Sequence, residues 1–101
     1  MRMEDKVKLA PNIFSYPDFE HSDLHMEISL GGVKKEDITL KVYDDSFFIR
    51  APQDDFEYVT SMRFCCPVKA QDTKATFENG ILKVIIPFKQ RMKDPIQVAV
   101  A

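Results

Sequence analysis

The chain has 101 residues, of which 45% are hydrophobic and 30% are charged. A chain of this length forms one domain with a single modest core. The 14 basic and 16 acidic side chains give a net charge of −2, which offers no field to attract nucleic acid or a membrane surface, and no apolar run approaches the roughly 20 residues of a membrane span.

The N-terminal part predicts a short arm and then an edge strand. The first ten residues carry charges throughout and lack the apolar segment of a secretory signal, so we expect a cytoplasmic protein. We assign residues 1–11 to the arm, residues 12–88 to one β-domain and residues 89–101 to a C-terminal extension. Residues 13–16 are predicted to form a short edge strand.

Hydrophobic residues then recur with a period of two. Residues 24–30 alternate apolar and polar side chains up to the Gly31-Gly32 pair, which predicts a half-buried strand. Residues 38–42 and 47–51 alternate in the same way around a polar turn at residues 44–46, and we expect them to form a hairpin.

A longer strand is predicted over residues 56–66. Its alternation places Tyr58, Met62 and Cys66 on one face and Cys65 on the other. Since consecutive strand residues point to opposite faces, a disulfide between the two adjacent cysteines is geometrically poor. We expect structural thiols, with Cys66 directed inward and Cys65 outward.

Residues 75–87 predict the last hairpin. The Asn79-Gly80 pair favours a type I′ turn, because both central positions of that turn need positive φ. Leu82 begins an alternating apolar set on the buried face, and Pro87 ends the strand. No segment has a helical period. The pattern as a whole predicts an all-β, immunoglobulin-like sandwich of about seven to eight antiparallel strands.

The same hairpin carries a family pattern. Ala75, followed after four residues by Gly80-Ile81-Leu82, resembles the A-x-x-x-n-G-V-L signature of the small heat shock proteins, in their α-crystallin domain. Three further blocks resemble that family in the same order: GVKKEDI at residues 32–38, FFIRA at residues 47–51 and FCCP at residues 64–67. The resemblance extends over residues 12–87 and implies an α-crystallin-type sandwich.

Three features depart from the family pattern. Family members usually have a long loop bearing a swapped strand, whereas only residues 52–57 separate the two strands here, so we do not expect a strand swap. The position often held by a dimer-interface arginine is occupied by Met62, with Arg63 on the opposite face. The arm is short. The resemblance therefore implies self-association as a dimer or small oligomer rather than a large cage.

The C-terminal residues resemble the family's I-x-I/V anchor. Ile96 and Val98 are the two aliphatic positions, and in an extended segment they project to one side. The resemblance implies a receiving groove between the fourth and eighth strands of the family, formed here by Ile38, Leu40, Val42, Ala75 and Phe77. An alternative remains open, in which residues 96–100 form an extra edge strand of their own domain.

Enzymatic and metal-binding functions are disfavoured. The chain has three glycines and none of the common catalytic or nucleotide-binding motifs, so we expect no catalytic residues and no cofactor. His21 and His25, near Glu20 and Asp23, lie about 13 Å apart if the strand is extended, which is too far for one ion. A basic patch at Lys89, Arg91 and Lys93 lacks the aromatic residues of a nucleic-acid binder.

Two functions remain. The first is an ATP-independent holdase, which captures partly unfolded protein clients and suppresses their aggregation. The motif matches and the residue pair Ile96 and Val98 favour it. The second is a co-chaperone adaptor similar to the CS-domain proteins, which binds a folded partner. The short connection at residues 52–57 and the short arm favour this alternative.

Overall fold

The computed structural model of the protein describes residues 6–20, 22–90 and 96–101. These residues form eight β-strands and two single-turn 3-10 helices, Lys35–Asp37 and Ala70–Asp72. The strands are β1 Val7–Leu9, β2 Ile13–Pro17, β3 Asp23–Ser29, β4 Thr39–Val42, β5 Ser46–Pro52, β6 Phe56–Arg63, β7 Lys74–Glu78 and β8 Ile81–Pro87.

The strands form two four-stranded sheets. One sheet has the order β1-β6-β5-β4 and the other has the order β2-β3-β8-β7. Every pair of neighbouring strands is antiparallel except β1 and β6, which run parallel. The predicted all-β sandwich of seven to eight strands is therefore confirmed.

The core lies between the sheets and is formed by the alternating strands. In β3 and β8 every second side chain is buried, and paired residues such as Met26 and Val84 place both side chains on the inner face. The buried apolar side chains are Leu24, Met26, Ile28, Leu30, Val33, Phe47, Ile49, Ala51, Val68, Leu82, Val84, Ile86 and Phe88. The domain therefore closes a core from its own residues.

The β7–β8 hairpin has the predicted turn. Asn79 and Gly80 both have positive φ, 53° and 78°, and Glu78 pairs with Ile81 across the turn. This is the backbone that a type I′ turn requires, since it matches the twist of the two strands.

Strand β6 ends three residues earlier than predicted. The Phe64 amide donates a hydrogen bond to the Asp45 carbonyl at 2.8 Å, and the Val68 amide donates to the Asp44 carbonyl at 2.8 Å. These bonds hold the chain against the β4–β5 turn, so residues 65 and 66 lie in a bend. The expectation that strand alternation separates the two cysteines is therefore wrong, although Cys65 is exposed and Cys66 packs against the core as expected.

Strand β1 was not predicted from the sequence. It pairs with only the first three residues of β6, from Val7 opposite Phe56 to Leu9 opposite Tyr58. Lys6 Nζ also donates a hydrogen bond to the Gln53 carbonyl at 2.6 Å. Part of the predicted N-terminal arm thus covers one end of a sheet edge.

The connection between β5 and β6 is a tight turn at residues 53–55. The Gln53 amide donates to the Phe56 carbonyl at 2.7 Å, which closes the turn. The Gln53 side-chain amide donates to the Gly31 carbonyl at 2.8 Å. Because β5 and β6 pair directly within one chain, this turn has no room for a swapped strand.

Candidate functional site: an apolar edge and an apolar tail

Strands β4 and β7 lie at the same side of the sandwich. At the other side, Ile13 of β2 and Leu24 of β3 line a cleft together with Phe47 of β5 and Met62 of β6. The β2 end of one sheet therefore covers the β6 end of the other. The strand orders then place β4 and β7 together on the opposite side.

The sequence-predicted groove residues lie on these two strands and beside them. Ile38, Leu40, Val42 and Phe77 are half-buried and pack against the core, whereas Ala75 is exposed. Their pairing partners are buried: Leu40 is opposite Ile49, Val42 opposite Phe47, Ala75 opposite Val84 and Phe77 opposite Leu82. We call the five residues Ile38, Leu40, Val42, Ala75 and Phe77 the apolar edge.

The tail, residues 96–101, contains no strand. Ile96 is 88% exposed, Val98 is 76% exposed and Val100 is 96% exposed. Within this chain they do not form the extra edge strand that the sequence left open. Binding of the tail of another chain to the apolar edge stays a prediction.

Met62 and Arg63 of β6 lie on opposite faces of their sheet. Met62 is paired with Phe47, whose side chain is buried, so Met62 points toward the core side and remains 48% exposed. Arg63 is paired with Ser46 and lies on the opposite face. The two side chains therefore cannot replace each other at one contact, as the sequence predicts.

The buried carboxylate of Glu57 is a feature that the sequence analysis missed. Glu57 is 7% exposed and its Oε2 accepts a hydrogen bond from Arg50 Nε at 3.0 Å. Arg50 Nη2 lies 3.0 Å from the same oxygen and completes the ion pair. Glu57 joins β5 to β6 through this ion pair. The sequence signal was the position of Glu57 across a tight turn from the cationic Arg50.

Aromatic side chains on β2 form a second feature that the sequence analysis missed. Phe14 is 63% exposed and its ring centroid lies 5.4 Å from that of Tyr16. Tyr16 stacks on His25 of β3 at 5.2 Å. The alternation of Phe14 and Tyr16 with Ile13 and Ser15 would have identified this outer face, since Ile13 packs against the core.

The residues considered for acid–base or metal chemistry do not converge. His25 stacks on Tyr16, His21 lies outside the described residues, and so do Arg91 and Lys93 of the basic patch. Lys89 of that patch pairs with Asp44 at 3.2 Å, and this hydrogen bond, with the charge of Lys89, lowers the pKa of Asp44. Within the described residues, no group of three or more His, Cys, Asp or Glu side chains could hold a metal ion.

Comparisons with known proteins agree on one family. The model of the Hsp20/alpha crystallin family matches residues 18–101. No curated protein sequence matches the chain significantly.

Within the described residues, none of the helices has the length and apolar character needed to cross a membrane.

Solved structures of small heat shock proteins share the fold. Heat shock protein 16.0 from Schizosaccharomyces pombe is 19% identical, with a TM-score of 0.74, covering 92% of this chain and 99% of that one. HSP18.5 from E. histolytica is 12% identical, with a TM-score of 0.71 and coverages of 91% and 99%. A small heat-shock protein from Xylella fastidiosa is 15% identical, with a TM-score of 0.64 and coverages of 92% and 97%, and its structure is described as showing a distinct high order structure.

Proposed function

This chain belongs to the Hsp20/α-crystallin family, and we propose that it is an ATP-independent holdase that binds partly unfolded protein clients and keeps them from aggregating. The observation that carries the proposal is a complete sandwich that still leaves apolar side chains in solvent. Among them are Phe14 at 63%, Ile96 at 88% and Val98 at 76% exposure. Such surfaces mark sites of protein interaction.

The exposed side chains suit a client that is partly unfolded. Destabilised proteins expose apolar segments and unpaired strand edges. Strands β2, β4 and β7 lie at sheet edges, and their backbone groups can pair with an extended segment. Binding of this kind uses only surface that is already formed, so it requires no nucleotide.

We further propose that the tail binds the apolar edge of another subunit. Ile96 and Val98 lie two residues apart, so an extended tail presents both to the same side. Burying each side chain contributes about 1.5–3 kcal/mol before ordering costs. One contact is thus weak and reversible, while several in one assembly gain from effective concentration. A dimer or small oligomer follows.

The client proposal is tested by light scattering of a heat-denatured model enzyme. We expect the chain to suppress scattering at near-stoichiometric amounts, equally with and without ATP. Bovine albumin at the same mass serves as the control for nonspecific protection. If scattering is unchanged at every ratio, the holdase function is wrong.

The tail proposal is tested by molar mass from multi-angle light scattering. The double variant Ile96→Ala/Val98→Ala should lower the mass, because both apolar side chains of the anchor are lost. The matched control, Gln97→Ser/Ala99→Ser, changes the intervening positions and should keep the wild-type mass. Equal masses for wild type and both variants would contradict the anchor.

The apolar edge has its own pair of variants. Ala75 is exposed but lies on the same face of the sheet as the core residue Val84. Ala75→Glu places a charge there and should lower the molar mass of the assembly as the tail variant does. Thr76→Glu places the same charge one residue away on the opposite face, opposite Lys83, and should not. If only Thr76→Glu lowered the molar mass of the assembly, the tail would contact the other face of the sheet.

A second candidate function is a co-chaperone adaptor that binds a folded partner. The tight turn at residues 53–55 favours it, because the swapped-strand loop of many family members is missing. An adaptor would remain monomeric with or without residues 92–101, and it would not protect unfolded clients. The scattering and mass measurements above therefore separate the two functions.

A further inference from the structure

Two thiols meet at the bend that follows β6. The Cys65 and Cys66 sulfurs lie 3.3 Å apart, and both cysteines are free. Cys65 is exposed to solvent, while Cys66 is half-buried against the core. The hydrogen bond to Cys66 and burial raise the pKa of the Cys65 thiol, so this thiol stays protonated at neutral pH. The bend thus presents an adjacent pair of thiols that solvent reaches through Cys65.

The spacing of the sulfurs selects the kind of atom that can join them. An atom bonded to both sulfurs at about 2.3 Å, the length of a zinc–thiolate bond, would hold them at an angle of about 90°. Tetrahedral zinc needs a wider angle and four ligands. The described residues supply no third ligand near this pair. A pyramidal trivalent atom bonds near a right angle and brings its own third substituent.

We propose that Cys65 and Cys66 form a dithiol binding site for trivalent arsenicals. An organoarsenic oxide would exchange its arsenic–oxygen bond and the two S–H bonds for two As–S bonds and one water molecule. Both thiol protons leave on that water. Arsenic stays trivalent and neither sulfur is oxidised, so the reaction needs no oxidant or reductant.

The bend prepares the two sulfurs for this reaction. The chain is fixed on both sides by the Phe64 amide bond to Asp45 and the Val68 amide bond to Asp44. With the sulfurs already 3.3 Å apart, the second As–S bond forms at high effective concentration. Loss of the arsenical then requires both bonds to open together.

Phenylarsine oxide provides the test, with intact-mass spectrometry as the readout on the full chain. We expect one adduct that survives excess 2-mercaptoethanol and is removed by a dithiol such as dimercaptopropanol. Cys65→Ser, at an exposed position, should raise the apparent Kd by roughly tenfold or more, since only one As–S bond can form. Its adduct should be removed by the monothiol.

A second variant keeps two thiols but separates them. Ser61→Cys/Cys65→Ser places the second thiol on the exposed position 61 of β6, away from Cys66, and its adducts should also be reversed by the monothiol. Circular dichroism checks that each variant is folded. The proposal is overturned if wild type releases the arsenical to 2-mercaptoethanol, or if either variant retains it as wild type does.

Discussion

Gly80 shows how a single residue decides the geometry of a hairpin. Its φ of 78° lies in the left-handed region, and a Cβ added there would contact the Gly31 Cα at 3.4 Å. Asn79 also has positive φ, which its short polar side chain tolerates better than most. The Asn-Gly pair that predicts the hairpin is therefore also required by the backbone.

Gly80→Ala should destabilise the fold by about 1–2 kcal/mol, because an L side chain strains the left-handed conformation. Urea unfolding followed by circular dichroism measures the loss. Gly31→Ala is the control, since a Cβ there meets no atom within 4 Å, and its stability should stay close to wild type. Equal losses for the two variants would show that backbone strain is not the cause.

The interaction of Asp44 with Lys89 should make a small part of the stability depend on pH. Its carboxylate accepts a hydrogen bond from Lys89 at 3.2 Å, and this bond and the charge of Lys89 lower the pKa of Asp44. The lowered pKa adds stability above the unfolded-state pKa, and this contribution is lost as the pH falls through the folded-state pKa. NMR titration should show a low pKa for Asp44, which Lys89→Ala should return toward the ordinary value.

The salt dependence provides a check on this interpretation. Both side chains are exposed, so added salt screens the pair and should also move the pKa of Asp44 upward in wild type. In Lys89→Ala the same salt should have a smaller effect. A pKa that ignores both the substitution and the salt would contradict the assignment.

At the scale of the element, β8 directs two adjacent isoleucines to opposite faces, one to the core and one to the outer surface. Ile86 is fully buried, while Ile85 is 37% exposed beside Tyr16 and His25. Pairing with Leu24 holds Ile86 between the sheets. The position of an isoleucine in the period-two pattern therefore decides how much its side chain contributes to the free energy of unfolding.

Ile86→Ala should cost about 2–5 kcal/mol, because it leaves a cavity among buried side chains. Ile85→Ala removes the same atoms from the outer face and should cost at most about 1 kcal/mol. Chemical denaturation of both variants gives the comparison. Similar costs would mean that the register of β8 is shifted by one residue.

The ion pair across the β5–β6 turn is also an element-scale feature. Arg50→Ala leaves the buried Glu57 carboxylate without its hydrogen bond from Arg50 Nε and without its ion-pair partner, which should cost about 1–3 kcal/mol. Arg63→Ala, at the exposed end of the same sheet, should change stability by no more than about 0.5 kcal/mol. Denaturation curves that coincide for the two variants would rule out a structural role for the pair.

At the scale of the whole molecule, the sandwich is complete within one chain. The two sheets bury a continuous apolar core between them, and β5 connects to β6 through a tight turn. Self-association through the tail and the apolar edge would thus join domains that are already folded. Assembly and folding should be separable events.

Dilution should therefore dissociate the assembly without unfolding the chain. We expect the Tm from circular dichroism to change little over about two orders of magnitude in protein concentration, while the molar mass falls. Ile96→Ala/Val98→Ala should have the Tm of wild type. A Tm that drops steeply on dilution would mean that the chain needs its partner in order to fold.

The sequence by itself determined every strand except β1, the alternation of faces within the strands and the last hairpin, since these depend on local alternation and on two turn residues. It also placed Met62 and Arg63 on opposite faces, because a one-residue step always crosses a sheet. The motif blocks around Ala75 and Gly80 were enough to indicate the family. All of these are properties of residues that are close along the chain.

Only the tertiary structure decided which strands are neighbours outside the two predicted hairpins. The parallel pairing of β1 with β6, the burial of Glu57 and the contact between the sulfurs of Cys65 and Cys66 follow from hydrogen bonds and packing between distant segments. Alternation tells which face a side chain occupies, but it does not tell which edge lies beside it or where a partner segment ends the strand. The Asp44 and Asp45 carbonyls ended β6 early, and that long-range contact brought the two thiols together.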